Sequence, residues 1–182
     1  TFTQISSTIV NTRNVEIYNG NLYFSTGSGT TGIYQVGSGL PTASGQLATL
    51  VMAVTSPYGF AISPDGNTAY VADDGVVSGN TGGGIQKWTK SGSSWTRQYT
   101  FGTQARGLSV DFSGANPVIY ATTIEASNNK IIKITDTGSS ATASDVASAG
   151  ANYVFRGVDF SPAAVPTIST SGTLAALSTT YG

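Results

Sequence analysis

Residues Pro57–Phe101 read PYGFAISPDGNTAYVADDG, then VVSGNTGG, then GIQKWTKSGSSWTRQYTF. The stretch parses as four short strands, Gly59–Ser63, Thr68–Ala72, Gly84–Thr89 and Trp95–Phe101. Three of the four runs mix β-branched and aromatic residues with small ones, the composition of a pleated, largely buried surface. Pro64-Asp65-Gly66-Asn67 joins the first two strands as a turn. Proline presets φ at the second turn position, and Gly or Asn accepts the positive φ that follows. Asp65 is therefore expected to shape the turn. The Gly-rich run Asp73–Gly84 is a long connection suited to a lid or binding loop, and it lacks the ligand order of an EF-hand.

The same order of motifs returns along the chain. First strands align as Asn14-Val-Glu-Ile17, Gly59-Phe-Ala-Ile62, Gly107-Leu-Ser-Val110 and Gly157-Val-Asp-Phe160. Their starts are 45, 48 and 50 residues apart (14 to 59, 59 to 107, 107 to 157). Second strands align as LYFS at 22, AYVA at 69 and IYAT at 119, and third strands begin at Gly32, Gly84 and Lys130. A 40- to 50-residue period with four short strands per repeat predicts an all-β chain of antiparallel β-propeller blades. A sandwich or a solenoid also uses short strands, but neither predicts this motif order at this spacing.

GFAISPDGNTAYVAD followed by GGIQKW resembles the SPDG/YVTN repeat of lactonase-like and NHL-like β-propellers of secreted bacterial proteins. The resemblance covers Arg13 to Pro162. It implies a propeller fold and leaves function open among lactonases, ligand binders and surface-layer proteins. The SPDG turn stands intact only in the second repeat, with YNGN at 18, FSGAN at 112 and FSPAAVP at 160 elsewhere. Lactonase-like propellers hold a central metal, so the resemblance implies a calcium held in part by Glu16 and Asp159.

Three whole blades are expected, about 14–54, 59–101 and 107–148, with a fourth inner strand at 157–161. Thr1–Ser6 reads as an outer strand. Three blades and two fragments do not close a ring. The chain therefore reads as a piece of a larger propeller spanning 1–162, as one partner of a second chain, or as one whose ends join into an incomplete blade. Residues 163–182 read as a Ser/Thr-rich linker or as the opening of a following β-sandwich module.

Composition narrows the chemistry. The 182 residues hold no Cys and no His, 9% are charged, and the net charge is −1. Disulfides, thiol chemistry, His-based triads and ordinary zinc sites are thereby excluded within the chain. Near-zero charge without a basic patch argues against nucleic acid, and no run is long enough to span a membrane as a helix. A chain that starts at Thr1 without Met reads as processed or truncated, and the low charge suits an extracellular or cell-surface location.

Three of the four arginines share one repeat position, just before the first strand: Arg13, Arg106 and Arg156, with Tyr58 in the second repeat. Loops from the same rim carry Asp73, Asp74 and Glu125. Guanidinium forks in a ring suit a carboxylate, phosphate or sulfate, and the same groups equally suit pairing that fastens one blade to the next. Glu16, Ala61, Ser109 and Asp159 share a second position, facing a central channel. Asp136 and Asp145 read as solvated, and Trp88 and Trp95 as packing or as a sugar platform. A non-catalytic surface module for binding, adhesion or display is expected, with carbohydrate or another surface protein as partner. The alternative is a lactonase-like hydrolase whose remaining calcium ligands lie in missing blades.

Overall fold

The structure, a computed structural model, describes residues 2–76 and 82–161. It contains twelve strands in three four-stranded antiparallel sheets, with no helix among the described residues. Each sheet is a simple meander. The first holds β1 (Thr12–Tyr18), β2 (Asn21–Thr26), β3 (Gly32–Val36) and β4 (Ala48–Ala53). The second holds β5 (Pro57–Ile62), β6 (Thr68–Asp73), β7 (Gly84–Ser91) and β8 (Ser94–Phe101). The third holds β9 (Ala105–Asp111), β10 (Val118–Thr123), β11 (Lys130–Thr135) and β12 (Ser144–Ser148).

The tight connections follow the turn chemistry of the sequence. Asn19 and Gly20 (φ 45° and 70°) close the β1–β2 hairpin between the paired residues Tyr18 and Asn21. Two central residues at positive φ match the right-handed strand twist, which is why Asn-Gly recurs in such hairpins. In the β5–β6 turn, Gly66 (φ 74°) donates its N–H to the Ser63 carbonyl at 2.8 Å. Asp65 accepts from the Ser63 hydroxyl and the Asn67 N–H, which hold its exposed carboxyl below the usual range.

The sheets stack face to face. Alternation along β6 sends Ala69 and Val71 to one side and Tyr70 and Ala72 to the other. On the first side they meet Ile33 and Met52 of the first sheet, together with Phe60 and Trp88. On the second they meet Leu108, Ile119, Ala121 and Ile132 of the third. The second sheet is thus buried on both faces, and each fully buried large side chain contributes about 1.5–3 kcal/mol. A third cluster, Phe24, Tyr34 and Val36, lies on the outer face of the first sheet, where Ile5 and Ile9 pack on it.

First strands lie side by side, β1 beside β5 and β5 beside β9. Glycine permits this approach. A Cβ at Gly59 would stand 2.8 Å from the Arg106 carbonyl oxygen, and one at Gly107 would stand 2.8 Å from Gly157 Cα. At Gly157 the same construction meets nothing within 4 Å. The three glycines occupy matching positions, each aimed at the place of the next first strand.

Two expected strands are absent. Residues 2–11 form no ladder; they lie across the outer face of the first sheet, tied by the Ile5 carbonyl accepting from Gln46 N–H and the Val10 carbonyl accepting from Thr26. Residues 157–161 also form none, because no described strand runs beside them to complete a hydrogen-bond ladder. They are held instead by side chains: Ser109 donates to the Val158 carbonyl and Asp159, and Phe160 packs edge-on against Tyr120. The expected linker or sandwich opening at 163–182 lies outside the described residues, as do positions 77–81 of the Gly-rich loop.

Asp136 is a further correction. Its side chain is 1% exposed and receives hydrogen bonds from the Tyr70 and Tyr99 hydroxyls and from Lys87. Tyr70, Lys87 and Tyr99 are directly opposite one another on β6, β7 and β8, so one cross-strand row aims three polar tips at the third sheet. A buried carboxylate requires such compensation. Asp145 is solvated as expected, at 57% exposure and paired with Lys130.

Candidate functional site

A cavity of about 640 Å³ opens along the three first strands and the segment 156–160. Arg13, Tyr58, Arg106 and Arg156 all line it, as do Glu16, Ala61, Ser109 and Asp159. Both aligned positions of the repeat therefore reach one space, three residues apart on each segment.

A recurring backbone irregularity accompanies the first position. The β1–β2 register slips between the pairs Thr12↔Thr26 and Asn14↔Ser25. The β5–β6 register slips between Pro57↔Asp73 and Phe60↔Val71. In the third sheet the slip falls between Ala105↔Thr123 and Leu108↔Ala121. Each slip contains the Arg or Tyr of its repeat, and a bulge re-aims the side chain it carries. In two sheets the N–H after the bulged residue is capped from the opposite strand. Asn14 donates to Ser25 Oγ at 3.0 Å, and Gly107 donates to Thr122 Oγ1 at 2.8 Å. Ala72 stands at the corresponding place in the second sheet. These hydroxyls were not singled out in the sequence, where a Ser or Thr in a strand carries no distinguishing signal.

The mouth of the cavity is built around Tyr58. Arg13 stacks over its ring at 4.2 Å from the centroid and Arg106 at 5.2 Å. Asp74 ties the pair from behind. It accepts from Arg106 Nε at 2.9 Å and from Ser56 Oγ at 2.6 Å, and Ser56 in turn accepts from Arg13 at 2.9 Å. Arg13 also donates to the Pro57 carbonyl at 3.3 Å. Groups from all three sheets meet in this knot, so two of the arginines are committed to fastening. Arg156 is exposed and has no hydrogen bond or ion pair among the described residues. It is the uncommitted cation of the cavity.

The second position holds the acids, Glu16 and Asp159. Glu16 is half-buried and accepts from the Asn14 amide at 3.1 Å. Burial raises its pKa above the usual glutamate range, with the nearby Asp159 charge adding and Asn14 opposing. Asp159 accepts from Ser109 Oγ at 3.0 Å and from the Phe160 N–H at 2.8 Å.

Two other rim residues are placed elsewhere. Asp73 is fully buried and accepts from the Gly75 N–H and the Gln86 amide, whose oxygen accepts from Trp88. It occupies the place of Thr26 and Thr123, whose hydroxyls also accept from backbone N–H groups, Ser28 just past β2 and Lys130 at the start of β11. Side-chain oxygen at this position closes the sheet end, so Asp73 does not face the cavity. Glu125 lines a separate cavity of about 200 Å³ with Arg106 and Arg156. Trp88 packs in the core between the first two sheets, and Trp95 packs at its margin with Tyr18 and Tyr23.

No group of three or more His, Cys, Asp or Glu stands in metal-binding proximity among the described residues. Calcium takes six to eight oxygens, and Glu16 with Asp159 supplies two carboxylates. Among the described residues these two carboxylates do not by themselves complete a calcium site. In comparisons with known proteins, the chain matches no family model and no curated protein sequence.

Proposed function

We propose that this chain is a non-catalytic binding module of the cell surface or extracellular space, its three sheets being consecutive blades of an SPDG/YVTN-type β-propeller. The shared bulges, the stacked first strands and the matched glycines support the blade reading. The outer face of the first sheet keeps Val15 and Ile17 54% and 60% exposed, and no atom of the described residues stands within 4 Å of a Cβ built at Gly157. Both features suit further repeats or a second chain continuing the stack. The surface location rests on the sparse charge and the many short polar side chains.

One observation carries the binding role: Arg156 enters the 640 Å³ cavity without a partner among the described residues, beside two arginines already spent. A single uncommitted guanidinium suits a singly charged carboxylate, which it grips bidentately. Polyanions fit less well, because Glu16 and Asp159 repel them from the same cavity. The ligand class is a carboxylate-bearing one such as a sugar acid. Calorimetric titration with D-glucuronate should give binding in about the millimolar range, the affinity of a single small contact site. D-glucose should give none, and Arg156→Ala should abolish the glucuronate signal. Equal heats for glucose and glucuronate, or no heat from either, would contradict the reading.

A lactonase-like hydrolase is the second reading. It is favoured by the proximity of the Glu16 and Asp159 carboxylates, and it requires ligands from outside these residues. Calcium-dependent thermal stabilisation that is lost in Glu16→Gln would support it over the binding module.

A further inference from the structure

The repeat stacks two chemically different layers in one cavity. Arg13, Tyr58, Arg106 and Arg156 stand at one position of each segment, and Glu16, Ala61, Ser109 and Asp159 stand three residues further on. Along a strand three residues span about 10 Å. The bulge at the first position shortens this span, so the cation layer and the acid layer lie within the length of two linked sugar rings.

The two layers make opposite demands. At the mouth Arg156 takes a carboxylate. At the second position Glu16 and Asp159, when ionised, accept and do not donate, and their remaining lone pairs require donors. Asn14 fills one site on Glu16, while Ser109 and the Phe160 N–H both reach one oxygen of Asp159, Oδ1. Sugar hydroxyls donate readily to carboxylates, and such charge-assisted bonds are among the stronger ones. A second anionic group at this position would meet two like charges.

We propose that the ligand is an acidic oligosaccharide segment, with a uronate carboxylate on Arg156 and the hydroxyls of an adjoining neutral ring donating to Glu16 and Asp159. This rests on the reading of the cavity as a carboxylate site, and it adds the second ring and the orientation. Tyr58 lines the cavity with Arg13 and Arg106 over its ring. Its ring face is occupied by the guanidinium groups, so sugar stacking on that face is not part of the mode.

The test compares D-glucuronate, a disaccharide of glucuronate linked to a neutral hexose, and the corresponding neutral disaccharide, each titrated into the whole chain. The uronate disaccharide should bind about tenfold tighter than glucuronate, the worth of one net hydrogen bond to a charged group. Glu16→Gln and Asp159→Asn, introduced separately, should each remove most of that gain, while glucuronate affinity stays equal or rises, since each variant takes a negative charge out of the cavity that Arg156 lines. Their near-ultraviolet circular dichroism should match the parent, and two independent sites guard against one variant misfolding. Equal affinity for the two acids, with glucuronate binding still dependent on Arg156, overturns the two-layer mode and leaves the carboxylate site standing. Binding of neither acid overturns both.

Discussion

Lys87 Nζ lies 2.7 Å from Asp136 Oδ2, joining the second sheet to the loop that follows β11 of the third. The carboxylate is buried and the ammonium 21% exposed. Removing one partner strands the other's charge, whereas replacing both by apolar groups removes the desolvation cost as well. Asp136→Ala should therefore destabilise the chain by about 3 kcal/mol in urea unfolding. The double variant Asp136→Leu/Lys87→Met should recover part of that loss, the remainder coming from the Tyr70 and Tyr99 hydroxyls left without their acceptor. A double variant as unstable as the single one would show that the pair is not the source.

The same cluster sets a pH window. Burial pushes the Asp136 pKa up, but Lys87, Tyr70 and Tyr99 more than offset it and leave the carboxyl below its usual range. Its contribution is present above the ordinary Asp value of about 4 and fades as pH falls through the depressed one. At the alkaline end burial lowers Lys87, yet Asp136 and Tyr99 raise it on balance. Burial and Asp136 also raise Tyr70 and Tyr99. Those contributions are present below about pH 10 and are lost as pH rises through the folded values. Melting temperature against pH should be broad-topped, and Asp136→Asn should flatten its acid limb.

The three matched glycines give a contrast that no general loss of flexibility would produce. Gly107→Ala places a methyl against Gly157 Cα and Thr122 Oγ1, at 2.8 and 2.7 Å, and should cost about 1–3 kcal/mol as overpacking. Gly59→Ala meets the backbone of β9 and should behave alike. Gly157→Ala meets open space and should stay within about 0.5 kcal/mol of the parent. Equal costs at 107 and 157 would deny that the first strands pack in series.

Glu16 carries the opposite sign to Asp136. Its pKa is raised by burial, then by Asp159, so ionising it opposes folding. Its favourable contribution is present below the ordinary Glu value of about 4.3 and is lost as pH rises. Glu16→Gln should raise stability at pH 7 by about 0.5 kcal/mol, a small figure because the group is half in solvent. In an NMR titration Asp159→Asn should move the Glu16 midpoint down.

The repeat was legible because it is written in backbone-demanding residues. Pro64, Gly66 and Asn19-Gly20 fix turns, and Gly59, Gly107 and Gly157 mark close approach. The strand ranges of the second sheet accordingly differ from the sequence reading by two residues or fewer at each end. The arginine position was legible for the same reason, being tied to those glycines. Asp136 was not, because an acid just past a strand looks solvated until the cross-strand row Tyr70–Lys87–Tyr99 is known to face it. Asp73 was misplaced because its neighbour Asp74 does reach the rim, and one residue along a strand reverses the face. Residues 2–11 and 157–161 carry strand-like composition without a ladder partner, which composition alone does not reveal.

The carboxylate site is tested most directly by the side-chain Nε–H signals of the four arginines, 13, 97, 106 and 156. Arg106 Nε–H is already bonded to Asp74, and Arg97 lies over Trp88, away from the cavity. Titration with D-glucuronate should shift the Arg156 signal in a saturable way, perturb Arg13 and Arg106 less, and leave Arg97 unchanged. Four signals that stay fixed to saturation, or four that drift together as with bulk salt, would contradict the site.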